Sequence, residues 1–296
     1  MSESGADHDP AFAILSPAGG ASAPILFNSP HSGRRYPKHF VLSSRLPLSR
    51  LRCSEDCFVE EFFACAPRHG ATMMHAHFPR AFVDLNREPY ELDPQMFDGA
   101  LPPHANTRSL RVAGGLGTIA RIVADSEPIY SGRIPVDEAL ERIAAYYKPY
   151  HRAMESQLAE IHTRFGVAFL IDCHSMPSER ITRDDRTKPD FVLGDRYGTS
   201  CSPWLTDIVH ETLTGFGYTV TRNKPYAGGF ITERFGNPRA GLHSLQIEIN
   251  RGLYMEELTY ARTAGHVRLC KEIDLLVRRL VSVMPEVLES PAIAAE

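Results

Sequence analysis

The stretch Gly166-Val-Ala-Phe-Leu-Ile-Asp-Cys-His-Ser175 constrains this chain more than any other. Five apolar residues, Val167 to Ile171, run unbroken between a helix-ending glycine and Asp172. That pattern suits a strand covered on both faces, and so a sheet with layers on either side. His174 emerges at the strand's carboxyl end, where open α/β sheets gather their ligands. It is a candidate site centre, although a histidine satisfied within a turn would read the same in isolation.

A chain of 296 residues, 43% hydrophobic and 23% charged, has enough material for one large α/β domain. We expect that domain over residues 23–284, after a loose arm (1–22) rich in Ala, Gly, Ser and Asp and before a frayed tail (285–296). A net charge of -4 and a pI near 6.4 supply no basic field for nucleic acid, so a small-molecule partner is expected. The six cysteines, at 53, 57, 65, 173, 201 and 270, lack the paired spacing of a zinc ribbon, and a reduced, cytoplasmic protein is the expectation. No segment offers about 18 uninterrupted apolar residues, and neither export nor membrane insertion is expected.

A second strand end resembles the first. Ile25-Leu-Phe27 breaks at Asn28-Ser-Pro-His-Ser-Gly33, which places His31 on a strand-end loop. Ser54 or Asp56 is then placed to cap a helix carrying Phe58, Val59, Phe62 and Phe63 on one stripe. Glu55 and Asp56 there would complement the helix dipole, yet one carboxylate remains free to join two histidines on a metal. Residues 71–77 and 81–85 read as extended. Arg87, after the second, either pairs with Asp84 at the surface or works with Asn86 to hold a carboxylate by directed hydrogen bonds.

Residues 88–133 read as a long ordered excursion that forms a wall or lid; Gly114-Gly-Leu-Gly117 lacks the following Lys-Ser/Thr of a phosphate loop. A long helix from Pro135 to Gly166 should kink at Pro149. Residues 176–188 are expected as a mobile loop. Strands at 191–194 and 218–222, a helix opened by Ser202-Pro203, a glycine loop over 223–231 and a closing helix over 256–283 complete the pattern. Between these, residues 244–250 alternate, with Gln246, Glu248 and Asn250 on one face. That face is either a solvated strand edge or the seat of a catalytic base.

Two strand-end histidines, a helix-start acid, arginines beside an asparagine and a strand glutamate are the parts that metal-assisted amide hydrolysis requires. Zinc with three protein ligands polarises a carbonyl, a glutamate moves protons, and guanidiniums hold oxyanions and carboxylates. Hydrolysis of another N-acyl amino acid or a peptide C-terminus would use the same machinery. Ser175 as nucleophile lacks a Gly-x-Ser-x-Gly elbow. A binding protein for acidic amino acids would keep the arginines alone.

The motifs Ser29-Pro-His-Ser-Gly33, Arg80 with Asp84-Leu-Asn-Arg87, Asp172-Cys-His-Ser175, Lys224-Pro-Tyr-Ala-Gly-Gly229 and Gln246-Ile-Glu-Ile-Asn-Arg251 together resemble the N-formylglutamate amidohydrolase family, from about Ile25 to the final helix. The resemblance implies a zinc-carboxypeptidase-like (phosphorylase/hydrolase-like) α/β fold in a single domain, with a mixed central sheet flanked by helices. It also implies one zinc per chain and release of formate from N-formyl-L-glutamate, a late step of histidine breakdown. Carried over by motif, His31, Asp56 and His174 are the implied metal ligands, with Glu55 a competitor for the acid. Glu248 is the implied general base, and Arg80, Asn86 and Arg87 are the implied substrate clamp, Arg80 counting among the catalytic residues as well.

Overall fold

The computed structural model describes residues 10–123, 126–178 and 188–289. Among them, seven strands form one mixed sheet in the spatial order Phe12–Leu15, Thr72–Ala76, Ile25–Ser29, Ala168–Met176, Leu242–Asn250, Phe191–Gly194, Val220–Arg222. The strands from Thr72–Ala76 through Leu242–Asn250 are parallel; Phe12–Leu15 pairs antiparallel at one edge, and Phe191–Gly194 runs antiparallel to Leu242–Asn250.

Alternation along the strands divides the interior in two. Phe27, Phe169, Ile171, Leu245, Ile247 and Ile249 face the helices Val59–Phe63, Pro203–Gly215 and Ala264–Glu289. Leu26, Leu170 and Met74 face the helix Lys148–Phe165 and the chain between residues 78 and 147. Because side chains alternate, Asp172 and His174 share the face of Leu170, and Glu248 lies beside His174 in parallel register. The strand of residues 244–250 is therefore central and buried, not a solvated edge.

Several expectations change. The loose arm holds the strand Phe12–Leu15, registered with Phe12 opposite Ala76; the Phe12 ring meets Tyr150 edge-on at 5.3 Å. Residues 81–85 are turn and loop, since the N–H groups of Phe82 and Val83 both return to the Pro79 carbonyl. Their apolar side chains plug the core, which a run of hydrophobic residues does equally well without a sheet.

Pro149 sits after a π turn, Ile143–Tyr147, in a helix that otherwise runs from Val136 to Phe165, so one wide turn absorbs the missing N–H. The closing helix begins later than expected because Met255–Glu256 and Ala261–Arg262 pair as a hairpin before it. It then continues past Pro285, where buried Val287 keeps the last turn packed. Of the expected mobile loop, residues 179–187 lie outside the described residues, as do residues 290–296 of the expected tail.

Candidate active site

The local backbone brings His31 and Asp56 together before any side chain is considered. The Asp56 N–H donates to the His31 carbonyl at 3.0 Å. Asp56 does not cap the following helix; Phe58 precedes that helix with φ 66°, a left-handed conformation rare outside glycine. The Phe58 ring packs edge-on against Tyr254 and His266 and lies under the Arg262 guanidinium, contacts that hold the turn.

Three side chains then converge. His174 Nδ1 lies 2.9 Å from Asp56 Oδ2, and His31 Nδ1 faces the same oxygen at 3.4 Å. All three residues are at most 2% exposed. Each imidazole is oriented from its far side: His31 Nε2 meets Asp84 Oδ1 at 2.8 Å, and His174 Nε2 meets Asp172 Oδ2 at 2.9 Å. Asp172 is held by Asn28 Nδ2 at 2.7 Å, and Asn28 Oδ1 accepts from Tyr150 Oη. With both Nε2 atoms committed to carboxylates, both Nδ1 atoms turn to a common centre.

This donor set suits a metal. His31 Nδ1 is buried without a hydrogen-bond partner, and one ligand atom from each of His31, Asp56 and His174 lies within 4.8 Å of the others. Imidazoles backed by carboxylates are the usual support of such centres. Among the described residues one other grouping, Cys65, His69 and Asp274, reaches the same closeness, but its carboxylate already serves His69 and Arg68 at 3.0 Å each.

Glu55 is turned away from the cluster. It accepts from Tyr36 Oη at 2.7 Å, Arg52 Nε at 3.1 Å and Cys57 Sγ at 3.2 Å, so Asp56 is the acid that stands between the histidines. The Ser175 hydroxyl donates to Asp56 Oδ1 at 3.3 Å and accepts from Arg251 Nε at 3.0 Å. Because both His174 nitrogens face carboxylates, His174 is not placed to activate Ser175 as a nucleophile.

Electrostatics follow from this packing. Burial pushes the Asp56 carboxyl up, but the hydrogen bond from His174 and the nearby His31 imidazole outweigh it and hold the group well below the usual carboxylate range. Asp84 is likewise held well below, its burial outweighed by Arg80 and Arg87. Burial lowers His174, yet Asp172 raises it well above the ordinary imidazole value. Glu248 moves the opposite way from Asp56 and Asp84: burial, with Asp56 adding to it, raises its carboxyl to about 7 against the pull of His174 and Arg80.

A cavity of about 240 Å³ adjoins the cluster. Arg80, Asp84, Arg87, Ser175, Glu248 and Arg251 line its polar side; Leu116, Ala120, Ile122 and Val123 from the excursion form an apolar wall. Arg80 donates to Asp84 Oδ2 at 2.7 Å. Arg87 is braced by the Leu116 and Asn86 carbonyls at 2.7 Å each and approaches Asp84 Oδ2 at 3.5 Å, a pairing inside the cavity and not at the surface. Tyr147 Oη and His151 hold the carbonyls of Arg87 and Leu85 from the long helix.

Asn86 departs from the expected clamp. Its Oδ1 accepts the Ile231 N–H at 2.8 Å, and its Nδ2 lies 3.4 Å from His174 Nε2. Gly229 packs so closely on this amide that a Cβ there would stand 2.3 Å from Nδ2. The Ile231 N–H and the close approach of Gly229 hold this amide beside His174, outside the cavity lining.

Asp84 and Asp172 as orienting groups, Asn28 with Tyr150 behind Asp172, and Arg251 were not singled out from sequence. For Asp172 the signal was available, since residues two apart on a strand share a face. For Arg251 and Tyr150 it was not.

Comparison with known proteins places this α/β chain among enzymes that hydrolyse amide bonds. A family model described as N-formylglutamate amidohydrolase matches residues 23–255. The chain belongs to that family. It is 37% identical to the crystal structure of N-formylglutamate amidohydrolase from Ralstonia eutropha JMP134, with a TM-score of 0.88 over 93% of this chain and 99% of that one. It is 29% identical over 261 residues to an N-formylglutamate deformylase of Pseudomonas aeruginosa (87% of this chain, 91% of the relative) and 28% identical over 237 residues to one of Pseudomonas putida (79% and 82%).

Proposed function

We propose that this protein is a zinc-dependent amidohydrolase that converts N-formyl-L-glutamate and water to formate and L-glutamate, in the late part of histidine breakdown. The observation that carries the reading is the facing of two carboxylate-backed Nδ1 atoms and Asp56 Oδ2 in one buried cluster, beside a cavity that contains Glu248. Membership of the family and the names of its relatives supply the substrate.

His31, Asp56 and His174 would hold the ion. When bound, zinc supplies Lewis acidity toward the formyl carbonyl and toward water. Glu248 takes a proton from the attacking water and delivers it to the leaving nitrogen, a task that suits a carboxyl with a value near 7. Arg80, inside the cavity, offsets negative charge on the carbonyl oxygen as the tetrahedral centre forms. Arg87, braced by two carbonyls, presents its remaining N–H groups to a substrate carboxylate. The apolar wall of Leu116, Ala120, Ile122 and Val123 accepts the methylene chain and limits water.

The deciding experiment measures zinc content and formate release on a panel of N-formyl, N-acetyl and N-succinyl amino acids. The reading requires about one zinc per chain and the highest kcat/KM on N-formylglutamate. Full activity after exhaustive chelation sinks the metal assignment; preference for another acyl group sinks the substrate.

A further inference from the structure

Arg251 directly follows the Leu242–Asn250 strand, and its side chain is buried. Its guanidinium makes three contacts across two separate segments. Nε donates to Ser175 Oγ at 3.0 Å, Nη1 to the Cys53 carbonyl at 3.0 Å, and Nη2 to Asp56 Oδ1 at 3.2 Å. Ser175 adds a second donor to the same Oδ1 at 3.3 Å. The Asp56 carboxylate is thereby divided: Oδ1 is occupied by protein donors, and Oδ2 is turned to both imidazoles.

We propose that Arg251 is a positioning residue of the metal centre, fixing Asp56 through Oδ1 so that Oδ2 alone serves as the ligand. The proposal rests on the metal reading above and adds a residue to it. Rotation about the bond to a carboxylate is soft and two-fold, so Asp56 without these donors would exchange its oxygens or swing from the histidines. A planar guanidinium holds a fixed direction toward Oδ1 while its other nitrogens grip Ser175 and the Cys53 backbone. Lysine, a single point of charge, cannot reach all three acceptors. Although Arg251 lines the cavity, one of its nitrogens is directed at Asp56 itself, whereas none of the Arg87 contacts reaches the cluster's carboxylate.

The test uses the full chain and three variants, Arg251→Gln, Arg251→Lys and Ser175→Ala. Zinc affinity is read by competition with a chromogenic chelator, KM with zinc-saturated enzyme, and melting with metal-free protein. Arg251→Gln should weaken zinc binding by about 10- to 100-fold, as removal of a group supporting a ligand typically does, with Arg251→Lys close behind and Ser175→Ala losing less. KM for N-formylglutamate should move by no more than about threefold. Ser175→Ala, which removes one neutral donor, should melt in its metal-free form near the wild type and still lose zinc affinity, which separates this role from general structural support.

Wild-type zinc affinity in Arg251→Gln, or a raised KM with unchanged zinc affinity, overturns the proposal. Should Arg251→Gln fail to fold, Arg251→Lys and Ser175→Ala decide by the same two readouts. Wild-type protein that takes up no zinc removes both this inference and the metal reading. Wild-type protein that binds zinc beside a variant that binds it equally well removes this inference alone.

Discussion

His31 and Asp84 meet at 2.8 Å, Nε2 to Oδ1, while the other Asp84 oxygen receives Arg80 at 2.7 Å. One buried carboxylate therefore orients a candidate metal ligand and anchors an arginine of the substrate cavity. Asp84→Asn keeps the shape and removes the charge. Zinc affinity is expected to fall about 10- to 100-fold, and stability by about 1.5–3 kcal/mol as charged hydrogen bonds are weakened. Chelator competition and chemical denaturation measure the two effects; unchanged zinc affinity would show that His31 needs no orienting carboxylate.

Metal content should separate the two neighbouring acids. His31→Ala, His174→Ala and Asp56→Asn are expected to lose zinc, whereas Glu55→Gln keeps it and only melts earlier, since Glu55 binds Tyr36, Arg52 and Cys57. Elemental analysis of purified variants decides, and zinc loss in Glu55→Gln transfers the ligand role to that residue.

Zinc uptake should depend on pH. The neighbouring Asp172 outweighs burial and keeps the His174 proton on well above the ordinary imidazole range, and a metal at Nδ1 must displace that proton. Affinity is thus expected to weaken as pH falls, with proton release on binding detectable by calorimetry in buffers of different ionisation enthalpy. Binding without proton release would contradict a protonated resting His174.

Glu248 is expected to act only in its charged form. Its carboxyl is raised to about 7 by burial, so the base is competent above that value and protonated below it. A bound cation stabilises the carboxylate and moves the midpoint down. The kcat/KM profile should accordingly fall on the acid side with a midpoint at or below about 7. Glu248→Gln should retain zinc and KM while kcat drops by about 10² to 10⁴. Near wild-type turnover would make Glu248 an ordinary strand residue, and zinc loss would make it a ligand.

Arg87→Lys should not be a mild change. The guanidinium uses Nε and Nη1 on the Leu116 and Asn86 carbonyls, and a lysine cannot hold those contacts and still offer a donor to substrate. A raised KM on N-formylglutamate, with a smaller rise on N-formylglutamine, would assign Arg87 to the side-chain carboxylate. Equal rises would assign it to the α-carboxylate, and no change would remove it from the site.

Gly229→Ala tests the packing of Asn86 beside His174. The backbone there is unstrained, with φ -91°, so the effect is one of space: the new Cβ would stand 2.3 Å from the Asn86 amide. Overpacking should cost about 1–3 kcal/mol, and displacement of Asn86 should loosen His174 and weaken zinc binding. A crystal structure of the variant with Asn86 unmoved, and unchanged zinc affinity, would show that the glycine serves another purpose.

Local pattern determined much of this protein from its sequence. The apolar run from Val167 to Ile171 specified a strand buried on both faces, and alternation over residues 244–250 put Gln246, Glu248 and Asn250 on one side. Two histidines at strand ends followed from where the apolar runs stop. These are properties of a residue and its immediate neighbours, and periodicity carries them.

Tertiary structure decided what depends on distant segments. Asp56 rather than Glu55 faces the histidines because the Asp56 N–H pairs with the His31 carbonyl while Tyr36 and Arg52 draw Glu55 outward. Asn86 stays out of the cavity lining because a loop 143 residues further on, at Gly229, closes over its amide. Phe12–Leu15 became a strand because Thr72–Ala76 offered an open edge. Arg251 reached Asp56, 195 residues away, because strand pairing brings their segments together. Hydrogen-bond geometry between such segments has no period in the chain, so only packing of the whole sheet could settle which polar groups meet.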